Sequence, residues 1–398
     1  MDARKTSLFF FAAVFATVLV ATLLRLPLDW PLAGVEQTPA LGRPTAATWF
    51  SGDFAARVEP WLGKRFAFRG FAIRLAHQLD WEVFGLLPKS GGTPIDIGFG
   101  NWLFEHEYIR HHVKRHPMRG ELAEDFALRL AGLRARLLEK GVPLVVCMSP
   151  SKPAVYPEFL PSVLQPSGKY LANTPARDTM AAALKKAGVP LLDCTTTLIS
   201  WKAPTPSWEN AGGPLLFPRN GSHWNAYAAQ RCLGELWALA RADAPGLPEM
   251  PSVTGYADKP PLPTDKDLCA LYNMVAYPYA EATVPYPVLD QLPPPDRRIR
   301  VLQVGDSFSF QLADAFGRAG IASDFTLLYY NKAEYHFHWD AGERPVCNDA
   351  KSKRLGVVDP DTFDYEKAFA NCDVVIVEFN DVFANACAWD FAKKESSK

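Results

Sequence analysis

The 398-residue chain has no excess of charge of either sign, and this absence narrows the possible classes of function. Its 42 Lys and Arg residues nearly balance 43 Asp and Glu residues, which gives a formal net charge of -1. Nucleic-acid-binding domains usually carry a basic patch or stripe, so the balance argues against a nucleic-acid partner. The hydrophobic content of 48% is ordinary for a folded protein and argues against a disordered chain.

Cysteine is sparse, and its seven residues are too few for a disulfide scaffold. None lies in the C-x-x-C spacing that is typical of zinc binding or redox chemistry, and we predict no cofactor. One or two disulfides are compatible with an oxidising compartment, and the odd number then leaves at least one free thiol. The sequence does not assign the pairs.

One long apolar run is present, from Leu8 to Leu24, after the basic residues Arg4 and Lys5. As a helix, this run reaches roughly 25 Å, near the short end of a membrane span. A cleaved signal peptide and an uncleaved anchor both fit, but the length of the run and the lack of an A-x-A cleavage site favour the anchor. We therefore predict a signal anchor over residues 1–28, with the chain after it outside the cytoplasm.

Beyond the anchor we predict a linker over residues 29–52 and one domain over residues 53–398. Residues Asp53–Phe84 have helical apolar spacing, and two later helical patterns each run through Gly-Val-Pro into an apolar strand. Unalternated strands that alternate with helices predict an α/β, doubly wound parallel sheet. A long Pro-rich insertion at residues 245–298 interrupts this pattern, and we expect it to be irregular.

Polar residues follow several predicted strands, at the sheet edge where α/β proteins bind ligands. The segment "GDS" ends at Ser307, which is therefore a candidate nucleophile, although a turn that only begins the next helix is the simpler reading. A serine nucleophile needs a base, usually histidine. His223, in "GSHWNAYAA" before a predicted helix, is the candidate, with capping of that helix by Ser222 as the structural alternative.

The remaining histidines give weaker signals. His112 and His116 are spaced i,i+4 and can share one helix face, but no third metal ligand is evident. We interpret this cluster as a mildly basic surface and predict no metal site. His336 and His338 are expected to lie in a loop, with a site role left open.

Four short motifs in a fixed order resemble the alginate O-acetyltransferase family of the AlgJ/AlgX type, over roughly residues 54–383. The motifs are "NWLF" (101–104), "SPSKPAVYPEFLP" (149–161), "GSHWNAYAA" (221–229) and "GDSFS" (305–309). The resemblance implies an SGNH-hydrolase-like fold with Ser307 as acyl nucleophile and His223 as base. The acid that the family places two residues before the histidine falls on Gly221 here. We expect another acid to replace it, in the order Glu378, Asp193, Asp381, with Asp306 structural. A Ser-His dyad and an impaired site are the alternatives.

The resemblance also implies an activity and partners. The protein is expected to move acetyl onto hydroxyls of an exported polysaccharide through an acetyl-serine, at the periplasmic face of the inner membrane. A multi-pass membrane O-acyltransferase is the expected acetyl donor. Lys152, Asn380 and Trp224 are predicted to contact substrate, the first two as candidate oxyanion donors beside the Ser307 N–H. A polysaccharide acetylesterase and a non-catalytic polysaccharide-binding or assembly subunit remain alternatives, the second supported by the missing acid at Gly221.

Overall fold

A computed structural model describes residues 3–24, 26, 30–34, 41–202, 213–291, 297–343, 345, 352–382 and 391–392. Within these residues the helices are α1 (Ala3–Leu23), α2 (Ala46–Phe50), α3 (Asp53–Arg65), α4 (Arg69–Phe84), α5 (His106–Lys114), α6 (Gly120–Glu139), α7 (Lys152–Val155), α8 (Ala176–Lys186), α9 (Cys194–Trp201), α10 (Ala226–Asp243), α11 (Asp267–Ala270), α12 (Ser309–Ala319) and α13 (Tyr365–Ala370). The strands are β1 (Ile95–Ile97), β2 (Leu103–Glu105), β3 (Leu144–Ser149), β4 (Leu191–Asp193), β5 (Val253–Lys259), β6 (Val284–Leu289), β7 (Ile299–Gly305), β8 (Ala322–Tyr329), β9 (Ala333–His338), β10 (Ser352–Val357) and β11 (Val374–Asn380). Parts of the predicted anchor (1–2, 25 and 27–28), of the predicted linker (29 and 35–40) and of the predicted insertion (292–296) lie outside the described residues, as do Cys347 and Cys387.

A seven-stranded sheet with the order β10-β9-β8-β7-β11-β3-β4 forms the centre of the fold. Strands β8, β7, β11, β3 and β4 are parallel, whereas β9 and β10 join as antiparallel strands at one edge. Every residue of β11 is buried, as expected for a parallel strand covered on both faces. The predicted α/β class is confirmed, with an antiparallel edge that the sequence did not indicate.

Helices bury a separate hydrophobic core on each face of this sheet. One core contains Trp237 of α10 and Phe316 of α12, and the other contains Phe126 of α6 and Leu184 of α8. Full burial of a large apolar side chain stabilises a fold by about 1.5–3 kcal/mol, so the two layers hold the strands firmly. The carboxyl ends of the parallel strands therefore form a well-supported edge for a functional site.

The chain divides into two compact units. The first consists of residues 1–95 and 268–280, and the second of residues 96–267 and 281–398. The second unit contains the central sheet, whereas the first contains α1 to α4. The boundary that we predicted at residue 53 thus falls inside the first unit, and the predicted insertion contributes residues to both.

Three local predictions are wrong. The single helix expected over 53–84 is divided into α3 and α4 at Phe68, whose φ of 66° is incompatible with a continuous helix. The insertion is not irregular, because it forms the antiparallel hairpin of β5 and β6 and the short helix α11. His336 and His338 were expected in a loop but lie on β9, where an imidazole nitrogen of each approaches Asp324 Oδ1, at 3.4 and 2.9 Å.

The structure bears on two further predictions, the N-terminal membrane anchor and the disulfides. The stretch Lys5–Thr22 of α1 is long and apolar enough to cross a membrane, a property that signal sequences share. The five cysteines of the described residues are buried free thiols: Cys147, Cys194, Cys232, Cys269 and Cys372. A disulfide between any two of these five is therefore absent from the structure.

Candidate active site

Ser307 lies in a tight turn between β7 and α12, at the carboxyl edge of the sheet. The Asp306 carboxylate holds this turn, since it accepts hydrogen bonds from the backbone N–H groups of Phe308 (2.9 Å) and Asn380 (3.0 Å). The second bond ties the turn to the end of β11. A Cβ atom at Gly305 would overlap side-chain atoms of Ser309 and Glu378, so a larger residue where the turn begins would displace the side chains beneath it. These contacts fit the structural role that we predicted for Asp306.

His223 lies in the loop before α10, and several polar contacts fix that loop. Asn225, not Ser222, caps α10, because its Oδ1 accepts the Ala228 N–H at 2.9 Å. The Lys152 ammonium donates to three backbone carbonyls, including those of Arg219 (2.9 Å) and Gly221 (2.8 Å). The ring of Phe308 packs on the imidazole, with the centroids 4.7 Å apart. The histidine therefore has little freedom to move.

The structure brings Ser307 and His223 together and adds an acid, Asp267. The Ser307 Oγ lies 2.8 Å from His223 Nε2, and Asp267 Oδ2 lies 2.6 Å from His223 Nδ1. The other carboxylate oxygen of Asp267 accepts the Ser222 backbone N–H at 2.8 Å, which sets the orientation of the carboxylate. This is the geometry of a nucleophile, a general base and an orienting acid.

Asp267 comes from the Pro-rich insertion, and Gly221 makes room for it. A Cβ atom built on Gly221 would lie 2.8 Å from the backbone oxygen of Asp265 and 2.9 Å from its carbonyl carbon. Real Cβ atoms do not approach a backbone carbonyl so closely, so an aspartate at position 221 would displace the 265–267 segment. The glycine that stands where the resemblance predicts an acid therefore leaves the space that the segment carrying Asp267 occupies.

Glu378, our predicted acid partner, has a different position, and that prediction is corrected. Its Oε2 accepts hydrogen bonds from the Asp306 N–H (2.8 Å) and the Ser309 hydroxyl (2.8 Å), and its Oε1 lies 2.5 Å from Ser149 Oγ. The carboxyl group is fully buried beneath the nucleophile turn. Burial and the neighbouring Asp306 raise the pKa of Glu378 well above its usual value, so the neutral acid is the favoured form. Glu378 supports the turn from below and does not contact His223.

Glu378→Gln is expected to be tolerated, because glutamine has the shape and hydrogen-bonding pattern of a protonated glutamate. Its carbonyl oxygen can accept from Asp306 and Ser309 while its amide faces Ser149. We expect the acetylation rate to stay within about threefold of wild type.

We also expect Glu378→Gln to be more stable than wild type by an amount that depends on pH. The unfolded glutamate ionises above about pH 4.3 while the folded one stays neutral, so wild type loses about 1.4 kcal/mol of unfolding free energy per pH unit.

Urea denaturation of both proteins at several pH values measures this difference. The unfolding free energy of Glu378→Gln relative to wild type should increase as the pH rises. A difference that does not change with pH would mean that Glu378 is ionised in the folded protein. A loss of acetylation rate of a hundredfold or more, the magnitude of general acid–base catalysis, would return Glu378 to a direct role in the reaction.

The other predicted residues also have structural contacts. Asp193 caps α9 through the Thr196 N–H (3.2 Å), and Asp381 accepts the Thr195 hydroxyl (2.7 Å), so neither acid contacts His223.

The three predicted substrate-binding residues are buried. The Lys152 ammonium donates to Leu103, Arg219 and Gly221 carbonyls at 2.7–2.9 Å, so its three protons are used in holding the histidine loop. The Asn380 amide donates to the Pro150 carbonyl at 3.1 Å. The Trp224 indole packs edge-on against Phe308, with the centroids 5.9 Å apart. These positions assign Lys152, Asn380 and Trp224 to support of the site and leave substrate contact to other residues.

The charge environment of His223 favours its protonated form. Burial lowers the pKa of His223, but the charge of Asp267 and its hydrogen bond raise it more, and Asp306 and Glu105 add to that effect, so the net pKa is raised. A negative site of this kind stabilises the imidazolium that forms when the base accepts a proton.

Among the described residues, no group of three or more His, Cys, Asp or Glu side chains is arranged to hold a metal ion.

The chain is similar to one family model and to several known proteins. Residues 95–278 match the family model described as the SGNH hydrolase-like domain of acetyltransferase AlgX. The chain is 26% identical over 229 residues to the probable alginate O-acetylase AlgJ of Azotobacter vinelandii, covering 56% of this chain and 51% of that protein. The protein of the same name from Pseudomonas aeruginosa is 26% identical over 212 residues, covering 53% and 49%. The chain thus spans about half the length of the curated relatives it matches.

Two solved structures are also similar. The O-acetyltransferase domain of Pseudomonas putida AlgJ is 21% identical and covers 76% of this chain and 99% of that domain, with a TM-score of 0.40. Pseudomonas aeruginosa AlgX is 17% identical and covers 72% of this chain and 62% of that protein, with a TM-score of 0.41.

Proposed function

We propose that this chain transfers acetyl groups to hydroxyls of a polysaccharide. Its match to the alginate O-acetyltransferase family of the AlgJ/AlgX type confirms the resemblance seen in its motifs. The observation that carries the proposal is the contact series from Ser307 through His223 to Asp267, at 2.8 and 2.6 Å. A site that only bound a polysaccharide would have no need of an activated serine. An acid at Asp267 also removes the main support for a non-catalytic subunit, which was the glycine at position 221.

The first half of the reaction forms an acetyl-serine. The Ser307 Oγ attacks the carbonyl carbon of an acetyl ester while His223 Nε2 accepts the hydroxyl proton. Asp267 keeps the other imidazole proton on Nδ1 and stabilises the charged ring. The tetrahedral intermediate collapses, the proton passes from His223 to the leaving alkoxide, and the acetyl group remains on Ser307.

The second half transfers the acetyl group. A sugar hydroxyl loses its proton to His223 as its oxygen attacks the acetyl-serine carbonyl, and Ser307 recovers that proton when its ester bond breaks. The Ser307 backbone N–H, just before α12, is the donor that we propose for the oxyanion in both halves. One such donor typically contributes about 2.7–4 kcal/mol of transition-state stabilisation.

The anchor and the donor complete the proposal. The apolar helix α1 holds the site at the outer face of the inner membrane, and basic residues before it favour a cytoplasmic N-terminus. Acetyl-CoA is confined to the cytoplasm, so an external transferase needs a partner that passes acetyl across the membrane. A multi-pass membrane O-acyltransferase, as the family resemblance implies, is the partner that we propose.

The decisive experiment follows the acetyl group from a donor to its acceptor. The full chain is mixed with 4-nitrophenyl acetate, then with oligosaccharides of alginate, the polymer named in its relatives. We expect a burst of nitrophenolate, an acetylated enzyme, and acetyl on the oligosaccharide when the acceptor is added. Free acetate as the only product, at a rate that the acceptor does not change, would instead establish an esterase. The lack of any acetyl-enzyme would overturn both catalytic readings.

A further inference from the structure

Helix α4 of the first unit is inverted in the sense that its polar side chains, rather than its apolar ones, face the interior of the unit. Arg74 is buried, and its guanidinium donates to the carbonyls of Met274 (3.0 Å) and Pro31 (2.7 Å). His77 Nδ1 lies 2.9 Å from the Tyr272 carbonyl, and Gln78 Oε1 accepts the Ala276 N–H at 2.9 Å. These contacts fix the rotation of the helix about its axis. The helix cannot turn its other face inwards without breaking them.

The opposite face of α4 is apolar and exposed. Its outer stripe consists of five residues at helical spacing: Phe71, Ala72, Leu75, Ala76 and Leu79. The three large side chains are 41–52% exposed. The stripe is about 12 Å long at 1.5 Å per residue. Ordinary surface helices show the reverse pattern, and contiguous exposed apolar patches usually mark contact with a partner or a membrane.

The outer stripe begins close to the end of α1. The Ala67 N–H donates to Thr22 Oγ1 at 2.9 Å, and both Ala21 and Ala67 are buried. Thr22 is the last residue of the stretch that is apolar enough to cross a membrane. Phe71 follows Ala67 by only four residues, across the non-helical turn at Phe68 where α4 begins. The start of the stripe is therefore at the level where α1 would leave the bilayer.

We propose that the outer stripe of α4 lies in the interfacial layer of the phospholipid bilayer that α1 crosses. This inference rests on the membrane-anchor part of the proposed function. The charges around the stripe fit that position. Exposed Lys64 precedes it and can meet lipid phosphates, whereas the acidic residues Asp80 and Glu82 lie at its far end, away from the contact with α1. Interfacial helices bury one apolar face in this way while their charged ends remain in water.

Lipid proximity can be measured in the full chain reconstituted in vesicles. A bimane fluorophore is attached at Leu75→Cys, with Cys347 and Cys387 replaced by serine because the other five cysteines are buried. Quenching by phospholipids brominated in their acyl chains is then recorded. Leu128→Cys, at an exposed leucine of α6, is the matched control, and Val14→Cys in α1 is the reference inside the bilayer. Leu79→Cys provides a second position on the stripe if Leu75→Cys does not fold.

We expect quenching at Leu75 to be at least about twofold greater than at Leu128 and smaller than at Val14, as an interfacial depth requires. Quenching at Leu75 equal to that at Leu128, with Val14 fully quenched, would overturn the inference and leave the anchor intact. A bimane at Leu75 that is shielded from water but is not quenched by brominated lipid would show that protein covers the stripe. This result would also overturn the inference. No quenching at Val14 would refute the anchor and the inference together, whereas acetylation of Ser307 in the same sample reports the chemistry separately.

Discussion

Ser307→Ala is expected to eliminate the acetyl-enzyme and to lower the rate of acetyl transfer by roughly 10⁴-fold or more, the loss seen when a catalytic triad loses its nucleophile. The reason is geometric, because among the residues that the structure describes Ser307 Oγ is the hydroxyl that contacts His223 Nε2, at 2.8 Å. The nearby Ser309 is committed to Gln303 and Glu378 beneath the turn. Intact mass after exposure to 4-nitrophenyl acetate measures the acetyl-enzyme directly.

Ser200→Ala is the matched control for this experiment. Ser200 is an exposed serine on α9 whose hydroxyl donates to the Thr197 carbonyl, so its loss should change neither the acetylation nor the fold. Circular dichroism of both variants checks that the sheet and helices remain. A Ser307→Ala protein that acquires a full acetyl label would remove Ser307 from the mechanism.

The positions of Ser307 and His223 were predictable because each has a local signal. An apolar strand that ends in Gly-Asp-Ser places a hydroxyl at the ligand-binding edge of a parallel sheet, and β7 has that form. The histidine follows a turn and precedes an amphipathic helix, which holds it near the start of α10. The parallel order of the main strands followed from the same unalternated apolar runs.

Asp267 was not predictable by the same reasoning. It lies 44 residues after His223, within a segment whose prolines indicated only irregular structure. The contact depends on how two loops cross, and no periodicity encodes that crossing. The available signal was indirect: the glycine at position 221 required an acid from elsewhere, and "TDKD" places two acids, Asp265 and Asp267, at the start of a short helix.

Glu378 was misassigned because strand position alone does not determine the direction of a side chain. The residue is on the expected strand, but successive residues of a strand point to opposite faces, and its carboxyl group points under the nucleophile turn. Burial there favours the neutral acid, which suits hydrogen bonding to Asp306 and Ser309. The inverted helix α4 was missed for a related reason, because its period is helical whichever face is buried.

Asp267→Asn is expected to lower the acetylation rate by about 10⁴-fold, the loss found for the same change in a serine protease triad. Asp267 Oδ1 accepts the Ser222 N–H at 2.8 Å, so an asparagine must place its carbonyl oxygen there and its amide towards His223 Nδ1. The imidazole then has to accept that amide proton at Nδ1 and carry its own proton on Nε2. In this tautomer Nε2 cannot accept a proton from Ser307. The burst rate with 4-nitrophenyl acetate measures the loss.

The pH dependence of the same burst separates this explanation from a general loss of structure. The net pKa of His223 is raised, and the base works only when neutral, so the wild-type rate should rise with pH through a value above about 6.5. Removing the charge of Asp267 removes the main cause of the increase in the pKa of His223. The acid limb of the pH–rate profile of Asp267→Asn should therefore lie at lower pH, although its residual rate is much smaller. Glu378→Gln, whose carboxyl group does not contact the imidazole, should keep the wild-type limb. An Asp267→Asn enzyme with a normal rate, or with an unshifted acid limb, would show that Asp267 does not orient His223 and would leave a Ser-His dyad as the catalytic unit.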